Sequence, residues 1–214
     1  MTPVRTVLHL MRHGEVFNPA GVLYGRLPGY VLSDLGQEMA QAVADYLAGY
    51  DVTYVVASPL ERAQQTAVPI AGAHNLPVHS DERLIEADNI FEGKTFGVGD
   101  GVLAQPSMWR HLVNPFRPSW GEPYEVIATR MLDAIGDALV AAAGHEAVLV
   151  SHQLPVWTVR NRLEGNRLWH DPRRRECSLA SLTSVTYLDG ELTSVAYSEP
   201  AGALLAKAAK RAGA

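Results

Sequence analysis

Two histidines, two arginines and a glutamate are the side chains of this sequence best suited to chemistry. Arg12-His13-Gly14-Glu15 closes an apolar run that holds Val7, Leu8, Leu10 and Met11, and Ser151-His152 closes a second run, Glu146 to Ser151. Arg62 falls in the first turn of a helix expected after the run Thr53 to Ala57, and Glu86 ends the segment Leu84-Ile85-Glu86. A neutral imidazole can attack phosphorus and form a phosphohistidine, which divides hydrolysis into two easier steps. Guanidinium forks match phosphoryl oxygens, and with a protonated His152 they would neutralise charge on the equatorial oxygens. A leaving alkoxide then needs a proton, which Glu86 could supply if its pKa were raised. The plain alternatives are a strand that ends in a polar turn and an Arg62 that is merely solvated.

Whether these groups meet depends on the elements that carry them. The apolar runs at 7–11, 53–57 and 146–151 have the length and continuity of strands buried on both faces. Between the first two, a loop from Val16 to Val31 leads to Ser33, a helix N-cap, and Leu35, Met39, Val43 and Leu47 recur at helical spacing. A second helix spans about Leu60 to Gly72, a long one runs from Glu122-Pro123 to about Ala143, and another covers Gln153 to Leu163. Strands near Ser178 to Leu188 and Glu191 to Ser198 are joined by Asp189-Gly190, a hairpin turn. This order predicts an α/β fold, a three-layer αβα sandwich with a mainly parallel central sheet. In such sheets ligands bind at the C-terminal edge, where His13 and His152 would both stand. Gly14 lets the backbone approach a ligand there, and the helix start at Arg62 favours anions.

Residues 1–200 read as one domain, followed by an Ala-rich tail at 201–214 that forms a short helix or a frayed end. Residues 87–121 have the Gly- and Pro-bearing composition of a lid over a cleft or of a plain surface excursion, with one or two helical turns at Met108 to Leu112. The 214 residues carry a formal net charge of −5, which argues against nucleic acid or an anionic membrane as the main partner. A single cysteine, Cys177, excludes an internal disulfide and reads as a small buried hydrophobe. Met1 to Met11 is too short and too soon interrupted for a signal peptide or a span, so a cytoplasmic location is expected.

Other chemistries fit less well. His9 and His13, four apart on a strand, share a face and could form a metal pair, yet no third ligand stands at a suitable spacing and Arg12 would repel a cation. Ser58 and Ser151 lack the Gly-x-Ser-x-Gly turn of serine hydrolases. Cys177, on a strand without a close histidine, is a poor nucleophile. Arg173-Arg174-Arg175 reads mainly as a solvated run, with the guidance of anionic ligands as its alternative.

Taken together, Leu-Met-Arg-His-Gly-Glu (10–15), Leu-Ser-Asp-Leu-Gly-Gln-Glu-Met-Ala (32–40), Ala-Ser-Pro-Leu-Glu-Arg-Ala-Gln-Gln-Thr-Ala (57–67), Leu-Ile-Glu (84–86) and Val-Leu-Val-Ser-His (148–152) closely resemble the histidine phosphatase superfamily, also called phosphoglycerate-mutase-like. Gly121-Glu122 and Cys177-Ser178 fall where the family has similar pairs. The resemblance implies His13 as the phosphorylated nucleophile, with Arg12, Arg62 and His152 holding the phosphoryl group. It implies Glu86 as proton donor, Asn18 as a phosphate contact, and no metal or other cofactor.

The sequence departs from the family pattern in three places. The loop to Asn18 is one residue short, Glu86 is followed by Ala-Asp-Asn-Ile-Phe-Glu-Gly, and Gln153 replaces a glycine after the second histidine, where it would narrow the substrate pocket. Asp88 and Glu92 therefore remain alternative donors. Mutases of the family carry a Tyr, a Lys and an adjacent Arg pair beyond the acid. Here Asn89 and Gly97 take the first two places, and Arg110 and Arg117 stand singly. The expected activity is therefore hydrolysis of a small phosphorylated metabolite, with a phosphoglycerate mutase or a non-catalytic phospho-ligand-binding regulator as alternatives. A homodimer is an open option for its assembly.

Overall fold

The computed structural model describes residues 3–94 and 121–208. Six strands form one mixed sheet in the order β3-β2-β4-β1-β5-β6. They are β1 (Arg5–Arg12), β2 (Val52–Ala57), β3 (His79–Ser80), β4 (Glu146–Ser151), β5 (Leu182–Leu188) and β6 (Glu191–Ser198). β1 and β2 both pair in parallel with β4, and β3 joins β2 in parallel, whereas β5 and β6 add an antiparallel edge. The sheet is mostly parallel, as expected.

Alternation along the strands divides the core in two. Leu8, Leu10, Ala147 and Leu149 pack on one face under α3 (Tyr124–Ala141) and α4 (Gln153–Leu163). Met11, Val148 and Val150 pack on the other, under α1 (Asp34–Leu47) and α2 (Glu61–Ala73). Both faces are covered, which is why the central strands read as unbroken apolar runs. Ser33 caps α1 as its sequence suggests: its hydroxyl accepts from the Gly36 N–H at 3.0 Å and donates to Glu15 at 2.6 Å. A Cβ on Gly36 would lie 2.0 Å from the Glu15 carbonyl oxygen, so glycine is required where α1 begins against the β1 loop. A short helix α5 (Gly202–Leu205) follows β6.

Two local expectations change. Leu84 is not extended: a 3-10 turn covers Glu82–Leu84, because the Asp81 carboxylate accepts from the Arg83 N–H at 2.8 Å and folds the chain back. The Ser151 hydroxyl donates to the Leu84 carbonyl at 2.6 Å, which ties this turn, and with it Glu86, to the end of β4. Strand β5 starts at Leu182 rather than Ser178 because residues 178–181 form a turn with Ala180 at φ 53°. Its backbone is held by Ala180 N–H to His13 C=O and by Arg12 N–H to Ser181 C=O, both 3.2 Å. Cys177 accordingly precedes the strand and is not on it. The helical turns expected at Met108 to Leu112, and residues 95–120 of the expected lid, lie outside the described residues, as do residues 209–214 of the tail. Among the described residues no helix is long and apolar enough to cross a membrane.

Candidate active site

The parallel pairing of β1, β2 and β4 puts their C-terminal ends on one edge, and there the chain places His13, Ser58 and His152, all fully buried. Arg62 reaches the same point from the first turn of α2 and is also fully buried. His13 Nδ1 lies 2.7 Å from the Gly14 carbonyl oxygen, which can only accept, so Nδ1 carries the proton and Nε2 keeps its lone pair. Arg62 Nε donates to that Nε2 at 3.3 Å. Its Nη2 donates to the Gly25 carbonyl at 2.6 Å and to His152 Nδ1 at 3.4 Å. His152 is therefore protonated at Nε2, which donates to the Ser58 hydroxyl at 2.8 Å. The two imidazole rings stand 5.1 Å apart, and the Arg62 guanidinium lies 4.7 Å from the centre of the Tyr24 ring.

Burial and the nearby arginines both disfavour a charged imidazole here. His13 is held well below the ordinary histidine range, first by burial, then by Arg62 and Arg12. His152 is lowered in the same way, by burial and then by His13, Arg62 and Arg12. With these neighbours alone both shifts favour the neutral rings, whereas the protonated His152 expected above concerns a site that holds a phosphoryl group. Arg12 donates from Nη1 to the Cys177 carbonyl at 2.9 Å. Arg12 Nε and Arg62 Nη1 are buried with no hydrogen-bond partner among the described residues. A buried donor without a partner costs about 1–3 kcal/mol. Two of them beside neutral rings form a cradle suited to an anion.

Glu86 is buried, and its carboxylate accepts the Ala87 N–H at 2.8 Å. Burial raises its pKa, opposed by that hydrogen bond and by Arg62, Arg175 and Arg12. It borders a cleft whose walls include Leu23, Gly25, Asp88, Tyr124 and Arg175. Of the alternative acids, Asp88 lines this cleft, whereas Glu92 receives the Arg26 N–H and does not. Asn18 is folded back on its own loop, with its amide bound to both the N–H and the carbonyl of Val22 (3.1 and 2.8 Å). No hydrogen bond joins it to His13, Arg62 or His152. Gln153 contacts the Cys177 carbonyl at 3.4 Å and Arg175 at 3.3 Å.

The sequence reading passed over several side chains. Tyr24 stacks on Arg62 from the first loop, and the Thr66 hydroxyl accepts the Gly14 N–H at 3.1 Å. Arg26 donates to the Glu86 carbonyl at 2.7 Å and to Glu122 at 3.0 Å, and Arg130 also binds Glu122, at 2.9 Å. Arg175 is a correction, because it turns inward from the run expected to be solvated while Arg173 and Arg174 stay exposed. The His9–His13 metal pair, set aside on the sequence, has no free His9 ring to offer. His9 is occupied by Glu146 and Ser184, each at 2.8 Å, and among the described residues no group of three or more His, Cys, Asp or Glu could hold a metal ion. Burial pushes the Cys177 thiol up to about 11, as suits a core residue.

The chain is similar to known proteins over most of its length. The chain is 58% identical over 199 residues to the uncharacterized protein Rv0525 of Mycobacterium tuberculosis, covering 93% of this chain and 98% of that one. It is 31% identical over 186 residues to a Yersinia pestis protein named "Probable phosphoglycerate mutase GpmB", covering 84% of each. The solved structure of mycobacterial glucosyl-3-phosphoglycerate phosphatase Rv2419c with VO3 superposes with a TM-score of 0.69 at 26% identity, covering 91% of this chain and 96% of that one. Residues 8–200 match the model of the histidine phosphatase superfamily (branch 1), and the chain belongs to that superfamily.

Proposed function

We propose that this protein hydrolyses a small phosphomonoester through a phosphohistidine at His13. The observation that carries this reading is the orientation of His13: Nδ1–H is fixed on the Gly14 carbonyl, and the Nε2 lone pair faces Arg62 and His152. In the first step Nε2 attacks phosphorus, the P–N bond forms and the ester P–O bond breaks. Glu86, whose pKa burial raises, gives its proton to the leaving oxygen. In the second step water attacks phosphorus as Glu86 takes its proton, and the P–N bond breaks to release phosphate. Arg12 Nε and Arg62 Nη1 would bind the equatorial oxygens. A phosphoryl group lodged between the rings would also favour the imidazolium form of His152, so its protonation belongs to the loaded site.

The superfamily contains both phosphatases and mutases, and the relatives named above include one of each. Hydrolysis is favoured by Asn89 at the place of the mutase tyrosine and by the lack of an adjacent arginine pair between Lys94 and Gly121. Mutase activity is the second reading, supported by the 31% identical relative's name. The test is phosphate release from an aryl phosphate with a chelator present, wild type beside His13→Ala. Turnover by the wild type alone supports the hydrolase, whereas interconversion of phosphoglycerates without net phosphate release would replace it with the mutase.

A further inference from the structure

Arginines that are at least partly buried in this fold are, with three exceptions among the described residues, tied to carboxylates. Arg26 and Arg130 share Glu122, Arg83 holds Asp81 and Asp137, and Arg160 holds Glu164 and Glu176. Arg12, Arg62 and Arg175 have no such partner. The first two form the phosphoryl cradle described above. Arg175 stands apart from it, on the wall of the cleft that opens beside Glu86.

Its setting is built rather than incidental. The Arg175 Nε donates to His170 Nε2 at 2.8 Å, and Nη1 donates to Gln153 Oε1 at 3.3 Å. His170 is oriented in turn by its Nδ1–H, which donates to the Leu168 carbonyl at 2.7 Å. Neutral groups thus fix the guanidinium, which feels the Glu86 carboxyl electrostatically but makes no ion pair among the described residues, beside a cleft lined by Leu23, Leu154 and Pro172. Besides Glu86, the carboxylates on that wall are Glu122, matched by Arg26 and Arg130, and Asp88, exposed to solvent. A cation held by neutral partners at the edge of an apolar-walled cleft is suited to an anionic group on a ligand.

We infer that Arg175 is a specificity-determining residue that binds a carboxylate or a second phosphate on the leaving group, so that the preferred substrates are organic phosphates with a second anionic group. This rests on the proposed hydrolase reading, with Glu86 marking the leaving-group side of phosphorus. Arg175 here selects the substrate and takes no part in bond making.

The test compares 4-carboxyphenyl phosphate, a phosphonomethyl analogue of it, and the uncharged 4-carbamoylphenyl phosphate. The selectivity ratio, kcat/KM for each anionic ester over that for the carbamoyl ester, is measured in wild type, Arg175→Gln and Arg175→Lys. A charge-assisted hydrogen bond contributes enough to predict a ratio that falls about tenfold or more in Arg175→Gln, chiefly through KM, and is partly restored by Arg175→Lys. The arm that shows the larger fall tells carboxylate from phosphorus oxyanion. The same three esters are titrated calorimetrically into His13→Ala with and without Arg175→Gln, so that the ratio of Kd values is obtained without turnover. Selective binding that Arg175→Gln abolishes, without turnover by the wild type, would uphold the inference while removing the hydrolase reading. Turnover with an unchanged selectivity ratio in Arg175→Gln would overturn the inference and leave the hydrolase standing.

Discussion

Strand β1 and the residue directly after it carry two buried histidines four positions apart, His9 and His13, and their surroundings are opposite. His9 sits between the Glu146 carboxylate and the Ser184 hydroxyl, with both ring nitrogens engaged. His13 has one nitrogen fixed by a carbonyl, while the other faces Arg62 beside a second imidazole, with no ion pair to a carboxylate among the described residues. Both are buried histidines close together in the chain, so residue type and burial do not separate a structural histidine from a reactive one. The sign of the neighbouring charge does. A carboxylate satisfies His9 and leaves it nothing to do, whereas cations around His13 keep it neutral and preserve a lone pair for an electrophile that brings negative charge with it.

The widest separation between the two should come from truncation. His13→Ala is expected to lower phosphate release by at least about 10³-fold, with the urea unfolding midpoint little changed. His9→Ala should do the reverse. It leaves the largely buried Glu146 carboxylate with only Arg5 and should destabilise the fold by about 3 kcal/mol in urea unfolding, while kcat moves less than about threefold because His9 lies away from the chemistry. If His9→Ala abolished turnover in folded protein, the comparison would collapse.

The pair also differs in pH response. The hydrogen bond from His9, and then the charge of Arg5, hold the Glu146 carboxyl below its ordinary range. The unfolded chain therefore binds more protons at Glu146 than the folded one does as pH falls. Its contribution to stability is complete above the ordinary carboxylate pKa and is lost as pH falls through the depressed folded value. The acid-side loss measured by urea unfolding should shrink in Glu146→Gln. At the other site kcat/KM needs His13 deprotonated and Glu86 protonated. The acid limb should then lie below the ordinary histidine value and the alkaline limb above the ordinary glutamate value, following the two shifts. Glu86→Gln should lower turnover of an alkyl phosphate about 10²-fold, lose the alkaline limb, and be much less harmful with a 4-nitrophenyl leaving group, which needs no proton. The smallest effect is expected at Ser33→Ala, about 1 kcal/mol of stability from the lost cap, with a modest loss of activity because Glu15 loses its hydroxyl partner beside the site.

Much of this arrangement is legible in the sequence where the signal is local. The unbroken apolar runs at β1 and β4, the Ser33 cap and the Asp189-Gly190 turn each follow from short-range rules, and strand ends locate His13 and His152 on one edge. What the sequence does not reveal depends on chain closure. Arg26 meets Glu86 across 60 positions, and Arg62 meets Gly25 across 37, from a loop whose composition says only that it is irregular. Arg175 belongs to a triple-arginine run, and its inward turn depends on the 3-10 turn Pro172–Arg174, which rotates successive side chains by about 120° and leaves Arg173 and Arg174 outside. The turn at Glu82–Leu84 is hidden for a related reason, since an apolar pair after Arg83 looks extended until the Asp81 cap is recognised.

The central claim, that His13 and not another histidine bonds to phosphorus, is tested most directly by trapping the intermediate. The protein would be mixed with an aryl phosphate, quenched in alkali to preserve a phosphoramidate, and mapped by mass spectrometry beside His13→Ala. The account predicts one phosphoryl adduct, alkali-stable and acid-labile, on His13 and absent from the variant. An adduct on His152 or His9, or rapid turnover with no adduct at all, would contradict it.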